Sequence, residues 1–147
     1  MDREETLPMV DFHLHTTASD GCRTPAQVVE RALALGLCRM AVTDHDTVAG
    51  VPAAARAAAG RIPLVPGVEF TCREEMLAPG LAPGLDGLEA YYLDFSEAQR
   101  AELAALAGQQ GLYCTAGSDC HGFAHRDRMG LPCSPALLAA LPPVLRG

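Results

Sequence analysis

The chain alternates between short apolar runs and longer stretches whose apolar residues recur at helical spacing. Five apolar runs predict strands, at residues 9–15, 37–43, 62–71, 86–93 and 112–116. Three stretches between them predict helices, at residues 24–36, 48–60 and 96–111, and Thr24 and Ser96 are suitable N-caps. Strands that alternate with helices indicate parallel β-α units. We therefore expect an α/β fold of about five mostly parallel strands, built as an open sheet or an incomplete barrel.

Two segments depart from this alternation. Residues 73–85 contain two Pro-Gly steps and predict a linker. Residues 123–147 form a Pro-containing C-terminal tail, in which only residues 135–141 have a helical pattern. The length of 147 residues, 15.4 kDa, fits one domain over residues 1–147.

Charge and composition exclude several classes of protein. Lys plus Arg total 11 and Asp plus Glu total 18, and the resulting charge of −7 opposes non-specific nucleic-acid binding. No apolar run approaches the roughly 20 residues of a membrane helix, and the acidic start does not resemble a signal peptide. We therefore expect a cytoplasmic chain whose six cysteines are reduced and mostly buried as small hydrophobic residues.

The histidines are candidates for metal binding. His13 and His15 are two residues apart on a predicted strand, so both side chains point to one face. They lie at the C-terminal end of that strand, where parallel α/β folds place ligand sites. A His-x-His pair alone is weak evidence, because it is equally compatible with two surface or core histidines.

Four predicted strands have Asp, Glu or His at or just beyond their C-terminal ends. The additional residues are Asp20, Asp44, His45, Glu69, Asp119 and His121. Solvated loop ends or a helix cap, for Asp44 or Asp46, would account for one or two of them. Repetition at four strand ends favours a metal centre.

These residues lie in segments that resemble the motifs of the PHP (polymerase and histidinol phosphatase) family. The resemblance is carried, in family order, by residues 13–21 (HLHTTASDG), 43–47 (TDHDT), 67–69 (GVE), 87–91 (GLEAY) and 117–121 (GSDCH). It implies a distorted β/α barrel that holds up to three metal ions at the strand C-termini. By resemblance, one ion would be held by His13, His15, Glu69 and Asp119, and another by Asp20, His45 and His121.

The chain departs from the family between the third motif and Gly87. It has no histidine between His45 and His121, whereas the family usually supplies two further ligands there. We interpret this as an internal deletion that leaves two divalent ions, at most three, of Zn, Mn or Fe. A barrel that lacks strands would expose sheet edges, which a homodimer would cover.

The resemblance implies a hydrolase, a metal-dependent phosphoesterase that attacks a phosphate ester through a metal-bound hydroxide. Its expected catalytic residues are His45 and His121, with Asp44 orienting a ligand histidine. The expected partner is a small phosphorylated substrate, with nucleic acid unlikely except as a phosphoester. Contacts with the substrate phosphate are expected from four residues, namely Arg23, His125, Arg126 and Arg128. The alternative is a catalytically impaired metal-binding module with a structural or regulatory role.

Overall fold

A computed structural model describes residues 6–71 and 86–146 of the chain. The strands are β1 (Met9–Asp11), β2 (Leu37–Val42), β3 (Leu64–Pro66), β4 (Gly87–Tyr92), β5 (Tyr113–Gly117) and β6 (Leu131–Pro132). The helices are α1 (Pro25–Ala34), α2 (Val51–Ala58), α3 (Glu97–Gln109), α4 (Pro135–Ala140) and α5 (Pro143–Arg146), and a 3-10 turn spans Ala124–Arg126. The linker predicted at residues 73–85, like Cys72, lies outside the described residues.

The strands form two groups that meet along β1. One sheet has the order β3-β2-β1-β6, in which only β6 runs antiparallel to its neighbour, and β4 pairs with β5 in parallel. Just beyond β1, the Phe12 amide donates to the Ala116 carbonyl (3.0 Å), and Leu14 bridges Cys120 in parallel. Within residues 6–71 and 86–146 no strand joins β3 to β4. The predicted mostly parallel α/β fold is confirmed, and the barrel is not closed.

Two strands are shorter than the sequence predicts. β1 ends at Asp11 rather than residue 15, and the segment beyond it is bonded on both sides. The Thr43 amide donates to the Leu14 carbonyl, and the Phe12 amide donates to the Ala116 carbonyl. β3 ends at Pro66, although the Gly67 amide still donates to the Val42 carbonyl (3.1 Å). Extended pairing nevertheless resumes in a parallel bridge between His45 and Glu69. The functional side chains therefore lie on extended segments just beyond the regular strands.

The predicted N-caps are confirmed. The hydroxyl of Thr24 accepts from the Gln27 amide, and the Gln27 side chain accepts in return from the Thr24 amide, which completes a capping box. Ser96 and Gln99 form the same arrangement at α3. α2 begins at Val51, later than residue 48, and has no side-chain cap.

The core has one apolar cluster on each side of β1 and β2. α1 and α2 contribute to the first cluster together with Leu14, Met40 and Val42. The tail contributes Leu137, Leu141 and Leu145 to the second cluster. The prediction that this tail holds only one helix is wrong, because β6 and α5 also form there and bury Leu131 and Leu145.

Two further sequence predictions concern the burial of the cysteines and the membrane-spanning potential of the helices. Cys114, Cys120 and Cys133 are buried, whereas Cys22 and Cys38 are exposed. Over the two described ranges, no helix combines the length and the apolar character needed to cross a membrane.

Candidate metal centre

The C-terminal ends of four strands bring seven predicted ligand residues to one edge of the sheet. His13 and His15 follow β1, His45 follows β2, and Glu69 follows β3. The remaining three come from the loop after β1 and from the segment after β5, and are Asp20, Asp119 and His121. Parallel strands end at the same edge, which is why residues distant in sequence converge here.

The first group consists of His13, His15, Glu69 and Asp119, each offering one atom within 4.8 Å of the others. Nε2 of His13 lies 3.0 Å from Oε2 of Glu69 and 3.3 Å from Oδ1 of Asp119. Nε2 of His15 lies 3.1 Å and 3.0 Å from the same two oxygens. This is the set that the family resemblance implies for one ion.

The second group consists of Asp20, His45 and His121, with His15 at its border. Oδ1 of Asp20 lies 3.1 Å from Nε2 of His121, and Oδ2 lies 3.5 Å from Nε2 of His45. Nδ1 of His15 lies 3.4 Å from Asp20, and the rings of His15 and His121 stack with centroids 4.1 Å apart. His15 therefore lies between the two groups.

The contacts among these side chains are better explained by coordination of divalent ions than by hydrogen bonds between the side chains. Both ring nitrogens of His15, Nδ1 of His45 and Nε2 of His121 are buried, yet none has an aligned hydrogen-bond partner among the described residues. Ligand atoms that share one ion at about 2.1 Å lie roughly 3.0–3.4 Å apart at octahedral or tetrahedral angles. Close but unaligned N···O pairs are thus typical of a shared ion, and the mixed imidazole and carboxylate donors suit Zn, Mn or Fe.

Two histidines have a partner on the ring nitrogen that faces away from the groups. Nδ1 of His121 lies 2.8 Å from the Asp119 carbonyl. Nδ1 of His13 lies 2.9 Å and 3.0 Å from the two carboxylate oxygens of Glu89 on β4. Glu89 belongs to the segment 87–91 that carries the family resemblance, but nothing in its local pattern indicates a site residue.

The electrostatics follow from burial and from the mixture of charges. Burial by itself lowers the pKa of His13, but Glu89 and Glu69 outweigh it and raise that pKa to about 9. Burial, together with the nearby imidazoles of His121 and His13, lowers the pKa of His15. Partial burial opposes ionisation of Asp20, yet the neighbouring imidazoles lower its pKa. A neutral His15 beside ionised carboxylates is a suitable arrangement for metal binding.

Asp44 has different partners from those predicted. Its oxygens accept hydrogen bonds from the Thr16 amide (2.7 Å), the Thr16 hydroxyl (2.8 Å) and the Ser19 hydroxyl (2.7 Å). It therefore fixes the loop that carries Asp20, and it orients no histidine by a hydrogen bond within the described chain. It does not cap α2 through its side chain either.

Asp11 is a second buried carboxylate beneath the centre, and sequence reasoning missed it. It is fully buried and accepts from the amides of His13 (3.1 Å), Ser118 (3.0 Å) and Gly130 (2.8 Å). Burial raises its pKa to about 6, against the effect of these donors. The signal was an acidic residue inside an apolar run, which is costly unless it is hydrogen-bonded.

The predicted substrate-binding residues have varied surroundings. Arg23 forms a bidentate ion pair with Asp127 (2.6 Å and 3.0 Å), and Arg128 pairs with Asp94. His125 is exposed in the 3-10 turn. Arg126, from the same turn, lies 3.9 Å from Oδ2 of Asp119 and is the cation of this loop that the structure places beside the centre.

A cavity of about 310 Å³ opens next to the centre, between the segment that follows β3 and the strand β4. Glu69 and His13 line it together with Glu89 and the apolar side chains of Phe12 and Phe70. The cavity gives a small ligand access to the first group of residues.

Comparisons with known proteins point to one protein family. The sequence profile of the PHP domain matches residues 11–118. The chain is 48% identical over 65 residues to the 5'-3' exoribonuclease Rnm of Escherichia coli, covering 42% of this chain and 22% of that protein. It is 35% identical over 117 residues to a 3',5'-nucleoside bisphosphate phosphatase of Chromobacterium violaceum, covering 71% of this chain and 41% of that protein. The chain thus spans less than half the length of these curated relatives.

The fold is also similar to a solved structure from Bifidobacterium adolescentis that is assigned to the metal-dependent phosphoesterases. The TM-score is 0.72 at 20% sequence identity, and the match covers 84% of this chain and 91% of the other. At this identity the likeness concerns the fold alone.

Proposed function

This chain belongs to the PHP domain family, and from that premise we propose that it hydrolyses a phosphate ester with the help of divalent metal ions. The observation that carries the proposal is the pair of adjoining His and carboxylate groups, with buried ring nitrogens that lack aligned partners. Its relatives include a nucleoside bisphosphate phosphatase and exoribonucleases, which all cleave phosphate esters.

Seven side chains are proposed as metal ligands, and a backbone carbonyl is proposed to orient one of them. His13, His15, Glu69 and Asp119 would hold one ion, and Asp20, His45 and His121 a second. Divalent ions in such a centre polarise the phosphoryl group and activate water. The hydrogen bond from His121 Nδ1 to the Asp119 carbonyl places the lone pair of Nε2 on the side of Asp20.

Phosphate recognition is proposed for Arg126. Its guanidinium is 44% exposed and lies beside Asp119 at the edge of the centre, within reach of an anion bound there. Arg23 and Arg128 already have carboxylate partners, so they are weaker candidates than the sequence alone indicates. His125, in the same turn, remains a candidate second contact.

The proposed substrate is a small phosphorylated molecule. The charge of −7 opposes binding along an extended nucleic acid, and the cavity beside the centre has a volume suited to a small ligand. A nucleoside 3',5'-bisphosphate is the first compound to test, because one relative acts on it.

The test combines metal analysis with turnover. Purified protein is stripped with EDTA, reloaded with Mn²⁺, Zn²⁺ or Fe²⁺, and assayed for phosphate release from a nucleoside 3',5'-bisphosphate and from p-nitrophenyl phosphate. We expect about two ions per chain and turnover that falls at least ~100-fold in His45→Ala and His121→Ala. Glu30→Ala, which changes a surface ion pair with Arg61, serves as the control.

The alternative is a metal-binding module without catalysis. The observation in its favour is that the chain covers only 22% and 41% of the two relatives described above. Bound metal without turnover on any phosphate ester would favour the module. Failure of the reloaded wild-type protein to bind metal would contradict both functions.

A further inference from the structure

The carboxylate of Glu89 lies outside both ligand groups but contacts one of their members. Glu89 is on β4, and its two oxygens lie 2.9 Å and 3.0 Å from Nδ1 of His13. The other nitrogen of that ring, Nε2, lies 3.0 Å from Glu69 and 3.3 Å from Asp119. The imidazole of His13 is therefore held between an outer carboxylate and the first ligand group.

An ionised carboxylate only accepts hydrogen bonds, so its contact with His13 requires a proton on Nδ1. With Nδ1 holding its proton towards Glu89, Nε2 is the nitrogen left to bind a metal, on the side of Glu69 and Asp119. A hydrogen-bonded carboxylate also fixes the ring orientation and makes the coordinating nitrogen more basic.

Gly117 makes this contact sterically feasible. A Cβ at Gly117 would collide with Cβ of His13 and lie 2.5 Å from Oε1 of Glu89. Gly117 does not have a positive φ, so its missing side chain provides space rather than conformational freedom. β5 lies between β4 and the segment after β1. The side chain of Glu89 on β4 therefore crosses β5 at Gly117 to contact His13.

We propose that Glu89 is a positioning residue that holds His13 in its metal-binding orientation, and that Gly117 provides the space for this pair. The inference rests on the metal centre of the proposed function. It concerns only one of the two ions, because His13 belongs to the first ligand group and not to the second. This asymmetry separates positioning from a general effect on folding.

The experiment is a competition titration of Zn²⁺ against a chromophoric chelator, on the full chain near neutral pH. The variants are Glu89→Gln, Glu89→Ala and Gly117→Ala, and the control is Glu102→Ala, an exposed glutamate on α3. We expect Glu89→Ala to weaken one of the two binding steps by about 10- to 100-fold and to leave the other unchanged. Glu89→Gln keeps the size and one acceptor oxygen, so its loss should be smaller, and Gly117→Ala should affect the same step.

The possible failures are distinguishable. If the wild-type chain binds two ions and Glu89→Ala binds both with unchanged affinity, the positioning role is refuted while the metal centre stands. Equal weakening of both steps would also refute it, because it would indicate a role in folding. If the wild-type chain binds no Zn²⁺, the proposed function fails, and this inference fails with it. Circular dichroism of each variant checks that the fold is retained, and Glu89→Gln provides the test if Glu89→Ala does not fold.

Discussion

Replacing Asp11 by alanine should destabilise the fold more than any surface change nearby. Its side chain is fully buried at the end of β1, and its two oxygens accept three backbone hydrogen bonds. The donors belong to three separate segments, at His13, Ser118 and Gly130. Asp11 thus joins the segment after β1 to the segment after β5 and to the chain just before β6.

The magnitude follows from the donors left without an acceptor. A buried N–H group without a partner costs about 1–3 kcal/mol, so three give about 3–9 kcal/mol before relaxation. Water entering the small space left by the carboxylate would satisfy part of this demand, so we expect a loss in the lower half of that range, about 3–5 kcal/mol. Asp11→Asn keeps one acceptor oxygen, so its loss should be about half as large.

Urea unfolding of the metal-free chain in EDTA measures this loss. With a slope of about 2 kcal/mol per M, Asp11→Ala should lower the midpoint by about 1.5–2.5 M. Asp94→Ala is the matched control, because Asp94 is half exposed and forms a surface ion pair with Arg128. A midpoint for Asp11→Ala that falls no further than that of the control would refute the account of Asp11 as the shared acceptor.

Three further predictions concern thiols, acid and metal. Among the cysteines that the structure describes, burial raises the pKa of three thiols, which should react with iodoacetamide much more slowly than the two exposed ones, as peptide mapping would show. The buried set is Cys114, Cys120 and Cys133, and the exposed set is Cys22 and Cys38. The hydrogen bond from Arg23 lowers the pKa of Asp127, so this pair stabilises the fold above the ordinary carboxyl pKa and is lost as the pH falls through the lowered value. Asp127→Asn should remove that acid-dependent component, which is less than about 1 kcal/mol for an exposed pair, and an unchanged pH profile of the urea midpoint would contradict it. A metal at 100 times its Kd should stabilise the wild-type chain by about 2.7 kcal/mol, so a melting temperature independent of Mn²⁺ and Zn²⁺ would count against the centre.

That the predicted ligand residues come together could be foreseen because the signal is local, whereas their division into two groups came from the family resemblance. His13 and His15 follow the period of two of an extended segment, and the other predicted ligands, except Asp20 in the loop after His15, also follow apolar runs. The parallel fold then brings these strand ends together. This reasoning needs no knowledge of which strand neighbours which, only that all of them end at one edge.

The supporting contacts could not be predicted, because they depend on pairs distant in sequence. Glu89 is 76 residues from His13, and their contact requires the order in which β4, β5 and the segment after β1 lie side by side. The partner of Arg23 is Asp127, 104 residues away, so the sequence does not reveal that this arginine is already paired. β6 and α5 are too short for periodicity to indicate them.

The position of the ligands bears on the predicted internal deletion. All seven come from segments that end at Glu69 or begin after β5, so they flank the predicted linker at residues 73–85 on both sides. A deletion there would remove the additional ligands of the family without altering these two groups. It would leave the cavity beside the centre bounded on the ligand side by Glu69, His13 and Glu89. Metal content therefore tests whether the two groups form a centre, whereas only turnover tests whether the remaining walls of that cavity still position a phosphate ester.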